Sequence, residues 1–158
     1  MNQFDDFARD TRSRLVGLAY SLTGDRGIAE DIAQEALLAT HRAWSDVSTP
    51  LAYARRTAVN LAATRVRHAG RERRAFARWS ARAKTFTELA PLDAEFWQSV
   101  RALPPRQREV IALHYVEDLT IADIGTALEI APGSVKSALH DARRALAHTL
   151  GLEHEEDR

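Results

Sequence analysis

The histidines are the residues of this sequence best suited to hold a metal ion or to move a proton near neutral pH. Six are present, and they do not have the spacing of metal ligands; they are His41, His68, His114, His140, His148 and His154. The sequence has no cysteine, no glycine-rich phosphate loop and no nucleophile placed beside a base. We therefore predict that the protein is not an enzyme and that it has neither a metal site nor a cofactor.

Arginines supply a second kind of chemistry, because guanidinium groups in a row along one helix face bind nucleic-acid phosphates. At about 100° per residue, one polar and basic set falls within an arc of roughly 80°. This set consists of Tyr53, Arg56, Asn60, Thr64, Arg67, Arg71 and Arg74. The other side of the helix carries the packing residues Leu51, Ala54, Ala58, Leu61, Ala62 and Ala69. The pattern favours phosphate binding with an aromatic ring available for stacking, although a simply solvated face has the same composition.

The segment before this stripe has the opposite character. Its spacing i, i+3, i+4, i+7 places acidic and amide side chains around one apolar residue on a helix face: Asp31, Gln34, Glu35 and Leu38. Such a face suits docking onto a basic partner helix, with charge guiding the encounter and Leu38 as the anchor. Acidic residues near a helix start also favour the helix dipole, and this second explanation stays open.

Near the C-terminus, TIADIGTALEI followed by APGSVKSALHDARRAL has the layout of a helix-turn-helix. In that motif the N-terminal part of the second helix lies near base edges in the major groove. The residues in that position here are Ser134, Lys136, Ser137 and His140. Arg143 and Arg144 follow at a distance from which they can reach phosphates. An ordinary helical hairpin is the alternative that this pattern leaves open.

Helical periodicity dominates the chain and alternating strand patterns are missing, so we predict an all-α fold. Four predicted helices have both ends defined: Phe4 to Leu22, about Gly27 to Trp44, Phe96 to Leu103 and Arg106 to Val116. Three more have a predicted start only: one begins at Pro50, one follows Thr120 as its cap, and one begins at Pro132. We predict two small helical domains with a linker between them, the second containing the helix-turn-helix. The predicted boundaries are 1–70, a linker at 71–93, 94–151 and an acidic tail at 152–158.

Charge is distributed unevenly over the 158 residues, although the net charge is zero. Residues 1–70 hold nine basic and eight acidic residues, 71–84 hold six and one, and 85–158 hold seven and thirteen. A basic centre between neutral and acidic flanks indicates a polyanion partner. The acidic start MNQFDDFARD is unlike a secretory signal, and no apolar run reaches the roughly 20 residues that span a bilayer. We expect a cytoplasmic protein with no membrane insertion.

The order of these segments resembles the extracytoplasmic-function group of the sigma-70 superfamily. LTGDRGIAEDIAQEALLATHRAW and PLAYARRTAVNLAATRVRH resemble the family's N-terminal domain, and LPPRQREVIALHYVEDLTIADIGTALEIAPGSVKSALHDARRAL resembles its C-terminal domain. The resemblance implies a sigma factor that directs core RNA polymerase to specific promoters and initiates transcription. It also implies an anti-sigma factor as a further partner.

The resemblance assigns roles to matching positions. The acidic face of Asp31, Gln34, Glu35 and Leu38 would bind the clamp helices of the largest polymerase subunit. The loop from Ser45 to Thr49 and the helix after it would engage the minus-10 element, with a flipped-out base held by the loop. The implied minus-10 residues are Asp46, Val47, Ser48, Tyr53, Arg55, Arg56, Asn60 and Arg67. The C-terminal domain would read the minus-35 element through the helix-turn-helix residues and rest on the flap of the second-largest subunit.

Three positions depart from the family pattern. Ala138 and Asp141 stand where the family usually has basic residues, and Ala131 replaces a Ser or Thr helix cap. Lost phosphate contacts would weaken minus-35 binding and flatten its salt dependence. These departures motivate an alternative hypothesis, a sigma mimic that sequesters an anti-sigma factor without binding promoters. A plain helix-turn-helix repressor would leave the N-terminal half without a function.

Overall fold

A computed structural model describes residues 2–76 and 91–151, and within these ranges every regular element is a helix. The all-α prediction is confirmed. The seven helices of this described part are α1 Gln3–Thr23, α2 Arg26–Arg42, α3 Pro50–Phe76, α4 Pro91–Arg101, α5 Pro105–Tyr115, α6 Ile121–Leu128 and α7 Pro132–Thr149. Helices α1 to α3 form one compact unit and α4 to α7 a second, which confirms the prediction of two small helical domains.

The N-terminal unit begins with helix boundaries that its sequence encodes locally. The Asn2 side chain accepts a hydrogen bond from the Phe4 N–H (3.3 Å) and starts α1. Gly24 ends that helix in the left-handed region, at φ 70°. The Asp25 carboxylate then accepts a hydrogen bond from the Ile28 N–H (3.0 Å) and starts α2. The turn between the two helices is therefore short, and α1 and α2 pack against each other.

Small side chains fill much of the core of this unit. Leu15 and Leu18 of α1 and Ile32 of α2 are fully buried. The remaining buried positions of α2 and α3 are mostly alanines, which allow helices to approach closely: Ala29, Ala33, Ala36, Ala54, Ala58 and Ala62. Each of the three helices packs on the other two, so each buries one stripe and exposes the opposite face.

Helix α2 ends two residues earlier than predicted. The prediction extended it to Trp44, whereas the helix stops at Arg42 and the chain turns at once. The Trp44 ring lies 5.3 Å from Phe4 and 5.2 Å from Phe7, centroid to centroid. This aromatic contact with the start of α1 stabilises the turned conformation over another half-turn of helix.

The C-terminal unit is organised around α5, in which every side chain from Arg108 to Leu113 is buried. Pro104 lies between α4 and α5 as the N-cap of α5, and Pro105 is the first residue of α5, one position before the predicted start. Thr120 caps α6 by accepting a hydrogen bond from the Asp123 N–H (3.1 Å), and Pro132 starts α7. Both of these predicted helix starts are confirmed. Helix α7 packs on α4, α5 and α6.

The turn of the helix-turn-helix brings two backbones unusually close. Glu129 adopts the left-handed conformation (φ 56°), and the Ile130 N–H donates to the Gly125 carbonyl (3.0 Å), closing α6. A Cβ at Gly125 would lie 2.8 Å from the Ile130 carbonyl oxygen. A glycine is therefore needed here, because neither of the backbones in contact can move like a side-chain tip.

The predicted domain boundaries stay predictions. Helix α3 continues to Phe76 and α4 begins at Pro91, so both ends of the predicted linker 71–93 are helical. Its middle part, 77–90, and the predicted tail 152–158 lie outside the described residues.

Gly125→Ala should destabilise the C-terminal unit by about 1–3 kcal/mol, because the added methyl group overlaps a backbone oxygen. Gly133→Ala is the matched control, since its Cβ would meet nothing within 4 Å. We expect this control to leave stability unchanged or to raise it by up to about 1 kcal/mol. Urea-dependent hydrogen exchange of α6 and α7 peptides in the full chain measures both. Equal effects of the two substitutions would contradict the assigned close approach.

Candidate nucleic-acid interface

The acidic face of α2 is exposed along its whole length. Asp31, Gln34, Glu35 and Leu38 all face solvent, and Leu38 is 48% exposed, which is unusual for a leucine in this unit. Ile32 and Ala36 occupy the buried side of the same helix. The structure therefore brings the four predicted residues together on one surface, with an apolar side chain among charged and polar ones.

An ion pair that sequence reasoning missed connects this face to α3. Arg65 Nη2 lies 3.0 Å from Glu35 Oε1, and the two side chains are 34% and 48% exposed. A pair this exposed contributes about 0.2–1 kcal/mol, too little to hold two helices together. The pair does place the Glu35 carboxylate beside α3, at the edge of the acidic face. Sequence spacing gave no signal for the pair, because it joins residues 30 positions apart.

Helix α3 carries the predicted polar stripe on one side. Asn60 and Arg67 are exposed, while Tyr53 and Arg56 are half-buried. The Arg56 guanidinium lies 5.9 Å from the centre of the Tyr53 ring, at cation–π distance. Further along, Arg67 Nη2 donates to Thr64 Oγ1 (3.4 Å). The stripe is thus a continuous surface of guanidinium, amide and aromatic groups.

Not every predicted residue belongs to this stripe. Arg55 is half-buried and lies about 100° round the helix from Arg56, so the helix does not bring it to the same surface. The side chains of Arg71 and Arg74 lie outside those that the structure describes.

The short loop before α3 leads directly into the helix that carries this stripe. Asp46 and Ser48 are exposed and Val47 is half-buried. The N–H groups of Asp46 and Val47 both donate to the Ala43 carbonyl (2.9 and 3.0 Å), which fixes the turn. The Tyr53 N–H donates to the Thr49 carbonyl (3.1 Å), so the loop passes directly into the first turn of α3.

The predicted reading face of α7 is exposed in full. Ser134, Lys136, Ser137, His140, Arg143 and Arg144 all face solvent, opposite a buried stripe that contains Val135 and Leu139. One of them has a defined partner, because Arg143 Nε donates to the Tyr115 hydroxyl (3.2 Å). Sequence reasoning missed Tyr115, which is 51% exposed.

The three departures have different structural meanings. Ala138 is only 8% exposed and its short side chain lies in the buried stripe, so the loss of a phosphate contact at this position stays a prediction. Asp141 is exposed, one turn after Ser137 and one turn before Arg144, and places negative charge on the reading face. Ala131 is the N-cap of α7 and provides no side-chain hydrogen bond.

One buried carboxyl group lies away from these faces. Burial raises the pKa of Glu109, and the positive charges of Arg106 and Arg108 oppose that increase. Arg106 Nη1 lies 3.2 Å from Glu109 Oε2 at the start of α5. Since Glu109 is packed inside its unit, it has a structural role.

Neither a metal-binding cluster nor a membrane-spanning helix occurs in the described part of the chain. In 2–76 and 91–151, no group of three or more histidine, aspartate or glutamate side chains is arranged to hold a metal ion. Within the same ranges, none of the helices is both long and apolar enough to cross a membrane.

Fold and surfaces together define a class of protein: a two-unit helical protein with a basic stripe on one unit and a helix-turn-helix on the other. Residues 7–72 match the family described as Sigma-70 region 2, and residues 93–146 match the family described as Sigma-70, region 4. The two matches lie in succession and correspond to the two compact units.

Individual relatives agree with these matches. The chain is 28% identical over 156 residues to the ECF RNA polymerase sigma factor SigE of Mycolicibacterium smegmatis, covering 92% of this chain and 61% of SigE. It is 29% identical over 168 residues to the ECF RNA polymerase sigma factor SigW of Bacillus subtilis, covering 93% of this chain and 88% of SigW.

The fold is also that of a solved sigma factor. RpoE from Bartonella quintana, determined in complex with the anti-sigma factor NepR, aligns with a TM-score of 0.70 at 22% identity, over 95% of this chain and 99% of RpoE. The chain therefore belongs to the sigma-70 family, in its extracytoplasmic-function group of RNA polymerase sigma factors.

Ala131→Ser should stabilise α7 by about 1 kcal/mol, because the introduced hydroxyl can accept a backbone N–H in the first turn. The extended conformation of Ala131 (φ −65°, ψ 146°) already suits a capping residue. Hydrogen exchange of α7 peptides in the full chain measures the gain. Ala131→Val cannot cap and is the control, so an equal increase in protection in both variants would contradict the capping account.

Proposed function

We propose that this chain directs core RNA polymerase to promoters by binding, without performing chemistry of its own. The α2 face would dock on the clamp helices of the largest subunit, and α3 with its preceding loop would hold the minus-10 strand. Helix α7 would read the minus-35 element while its unit rests on the flap of the second-largest subunit. A cytoplasmic location follows from these partners.

The observation that carries this proposal is the separation of the two faces on the N-terminal unit. Arg65 contacts Glu35 on the docking face, and it lies about 140° round α3 from Asn60 on the stripe. The side of α3 that adjoins the docking face is therefore not the side that carries the stripe. Polymerase and DNA can bind the same three-helix unit simultaneously, which a sigma factor requires.

The composition of each face matches its proposed partner. Asp31 and Glu35 around exposed Leu38 suit a basic and apolar protein helix, where charge guides association and the leucine is buried. The stripe combines guanidinium groups for phosphates with Tyr53 for base stacking, which suits a single strand better than a duplex. Promoter melting would then be driven by the energy of binding the separated strand.

The charges of the C-terminal unit support DNA binding less strongly than those of the α3 stripe. Lys136, Arg143 and Arg144 are exposed on α7, and Asp141 lies among them. One carboxylate on the reading face reduces the number of phosphates that the unit neutralises, so its DNA binding should depend only weakly on salt. Minus-35 recognition in this protein would rely mainly on base contacts from the first turns of α7.

An anti-sigma factor is a further proposed partner. The solved relative RpoE was determined with its anti-sigma factor NepR. In this chain, exposed Leu38 and the acidic residues around it offer a surface that such an inhibitor could cover to exclude polymerase.

The proposed function predicts that the purified chain, added to core RNA polymerase, yields transcripts from defined genomic promoters. Arg56→Glu/Arg67→Glu should abolish promoter melting while sparing polymerase binding, because charge reversal repels phosphates on the stripe alone. Run-off transcript sequencing on genomic DNA measures initiation. Permanganate reactivity of promoter thymines measures melting, and native gel shift of core enzyme measures docking.

Arg12→Glu/Arg14→Glu is the matched control, because it makes the same charge change at exposed positions of α1 in the same unit. This control should melt promoters like the unchanged chain. Binding to core enzyme without initiation on any promoter would contradict the proposal in favour of a sigma mimic. Normal promoter melting by the Arg56→Glu/Arg67→Glu variant would show that the α3 stripe does not bind promoter DNA.

A further inference from the structure

A contact between α5 and α7 links a residue outside the helix-turn-helix to its reading helix. Tyr115, the last residue of α5, accepts a hydrogen bond from Arg143 Nε (3.2 Å). The Arg143 guanidinium carbon also lies 5.9 Å from the centre of the Tyr115 ring. Hydroxyl and ring thus hold one guanidinium group at two points.

The Tyr115 ring is itself held in place, although it is half exposed. Phe96 of α4 packs edge-on against it, with 6.1 Å between centroids and an interplanar angle of 79°. His114 packs against it at 4.8 Å and 87°, and Phe96 is in turn supported by Trp97 at 5.0 Å. Edge-to-face contacts of this kind define both the position and the tilt of a ring. The hydroxyl group is therefore presented from a fixed point on α5.

We propose that Tyr115 is a positioning residue for Arg143, holding its guanidinium group in place for a phosphate of the minus-35 element. The hydrogen bond uses Nε–H, and a guanidinium has four further N–H donors on its two Nη atoms. Two parallel Nη–H donors match the oxygens of a phosphate. A long exposed arginine otherwise loses rotamer freedom when it binds, and Tyr115 removes part of that cost in advance.

The position of Arg143 on α7 points to a phosphate as its ligand. The first turns of a recognition helix approach base edges, and those turns hold Ser134, Lys136 and Ser137. Arg143 stands two turns further on, at the flank that adjoins α5, and residues in that location contact the DNA backbone. Arg144 lies on the same helix and is also exposed, about 100° away, which makes it the natural comparison.

This inference rests on the proposed function, because it assumes that α7 binds promoter DNA. Its test uses holoenzyme reconstituted from core polymerase and the full chain, with duplex DNA from a promoter identified by run-off sequencing. The dissociation constant is measured at several salt concentrations for the unchanged chain, Tyr115→Phe, Arg143→Ala and the double variant. Tyr115→Phe is also combined with Arg144→Ala. Hydrogen exchange of the α5 and α7 peptides checks that folding is unchanged.

We expect Tyr115→Phe to weaken binding roughly threefold to tenfold, because the Arg143 side chain must then be ordered when it binds. In the Arg143→Ala background its effect should fall below twofold, whereas in the Arg144→Ala background it should persist. Arg143→Ala should lower the slope of log affinity against log salt by about 0.9, as for one lost phosphate contact. An unchanged slope would mean that Arg143 does not contact phosphate, and would overturn the inference.

Two other results would also overturn it. If Tyr115→Phe lowers the affinity for DNA equally in the unchanged and Arg143→Ala backgrounds, Tyr115 contributes to DNA binding independently of Arg143. No loss from Tyr115→Phe would make the contact irrelevant to DNA binding. If the unchanged holoenzyme forms no promoter complex, the proposed function fails and the inference fails with it. If the holoenzyme binds the promoter but the effect of Tyr115→Phe does not depend on Arg143, only the inference fails.

Discussion

The structure depends on the packing of one-sided helices through small side chains. In the N-terminal unit, α2 and α3 bury mainly alanines, and each helix contacts both of its neighbours. Close packing fixes the rotation of every helix about its axis, because a turn of even 100° would place charged residues in the core at a cost of several kcal/mol. That constraint decides which side chains face outward. The acidic surface of α2 and the basic stripe of α3 are consequences of what the two helices bury.

In the C-terminal unit, too, packing decides which side chains face outward, and the central element of that packing is α5. Helix α5 is buried along most of its length, and α7 packs against it while burying Val135, Ala138, Leu139 and Leu146. The reading face of α7 is then oriented by this core and by the close backbone contact at Gly125. At the edge of this packing Tyr115 and Arg143 meet, so a residue of the core helix reaches the exposed face of α7.

Much of this fold could be predicted from the sequence because its signals are local. Periodicity identified the buried stripes, and Thr120 and Pro132 marked helix starts that the structure confirms. Contacts between distant positions could not be predicted. Glu35 meets Arg65 and Tyr115 meets Arg143 only once the helix packing is known, since these partners are 30 and 28 residues apart. The burial of Ala138 is known only from the same packing, because family comparison gives the residue type at that position and not its exposure.

The central claim is that one three-helix unit binds polymerase and promoter DNA on separate faces. Site-specific photocrosslinking tests it most directly, with a benzophenone amino acid introduced at Leu38 on α2 or at Asn60 on α3, both exposed positions. In a complete holoenzyme–promoter complex, we predict that the Leu38 probe crosslinks to the largest polymerase subunit and the Asn60 probe to promoter DNA near the minus-10 element. Crosslinking of the Leu38 probe to DNA, or of the Asn60 probe to polymerase alone, would contradict the account.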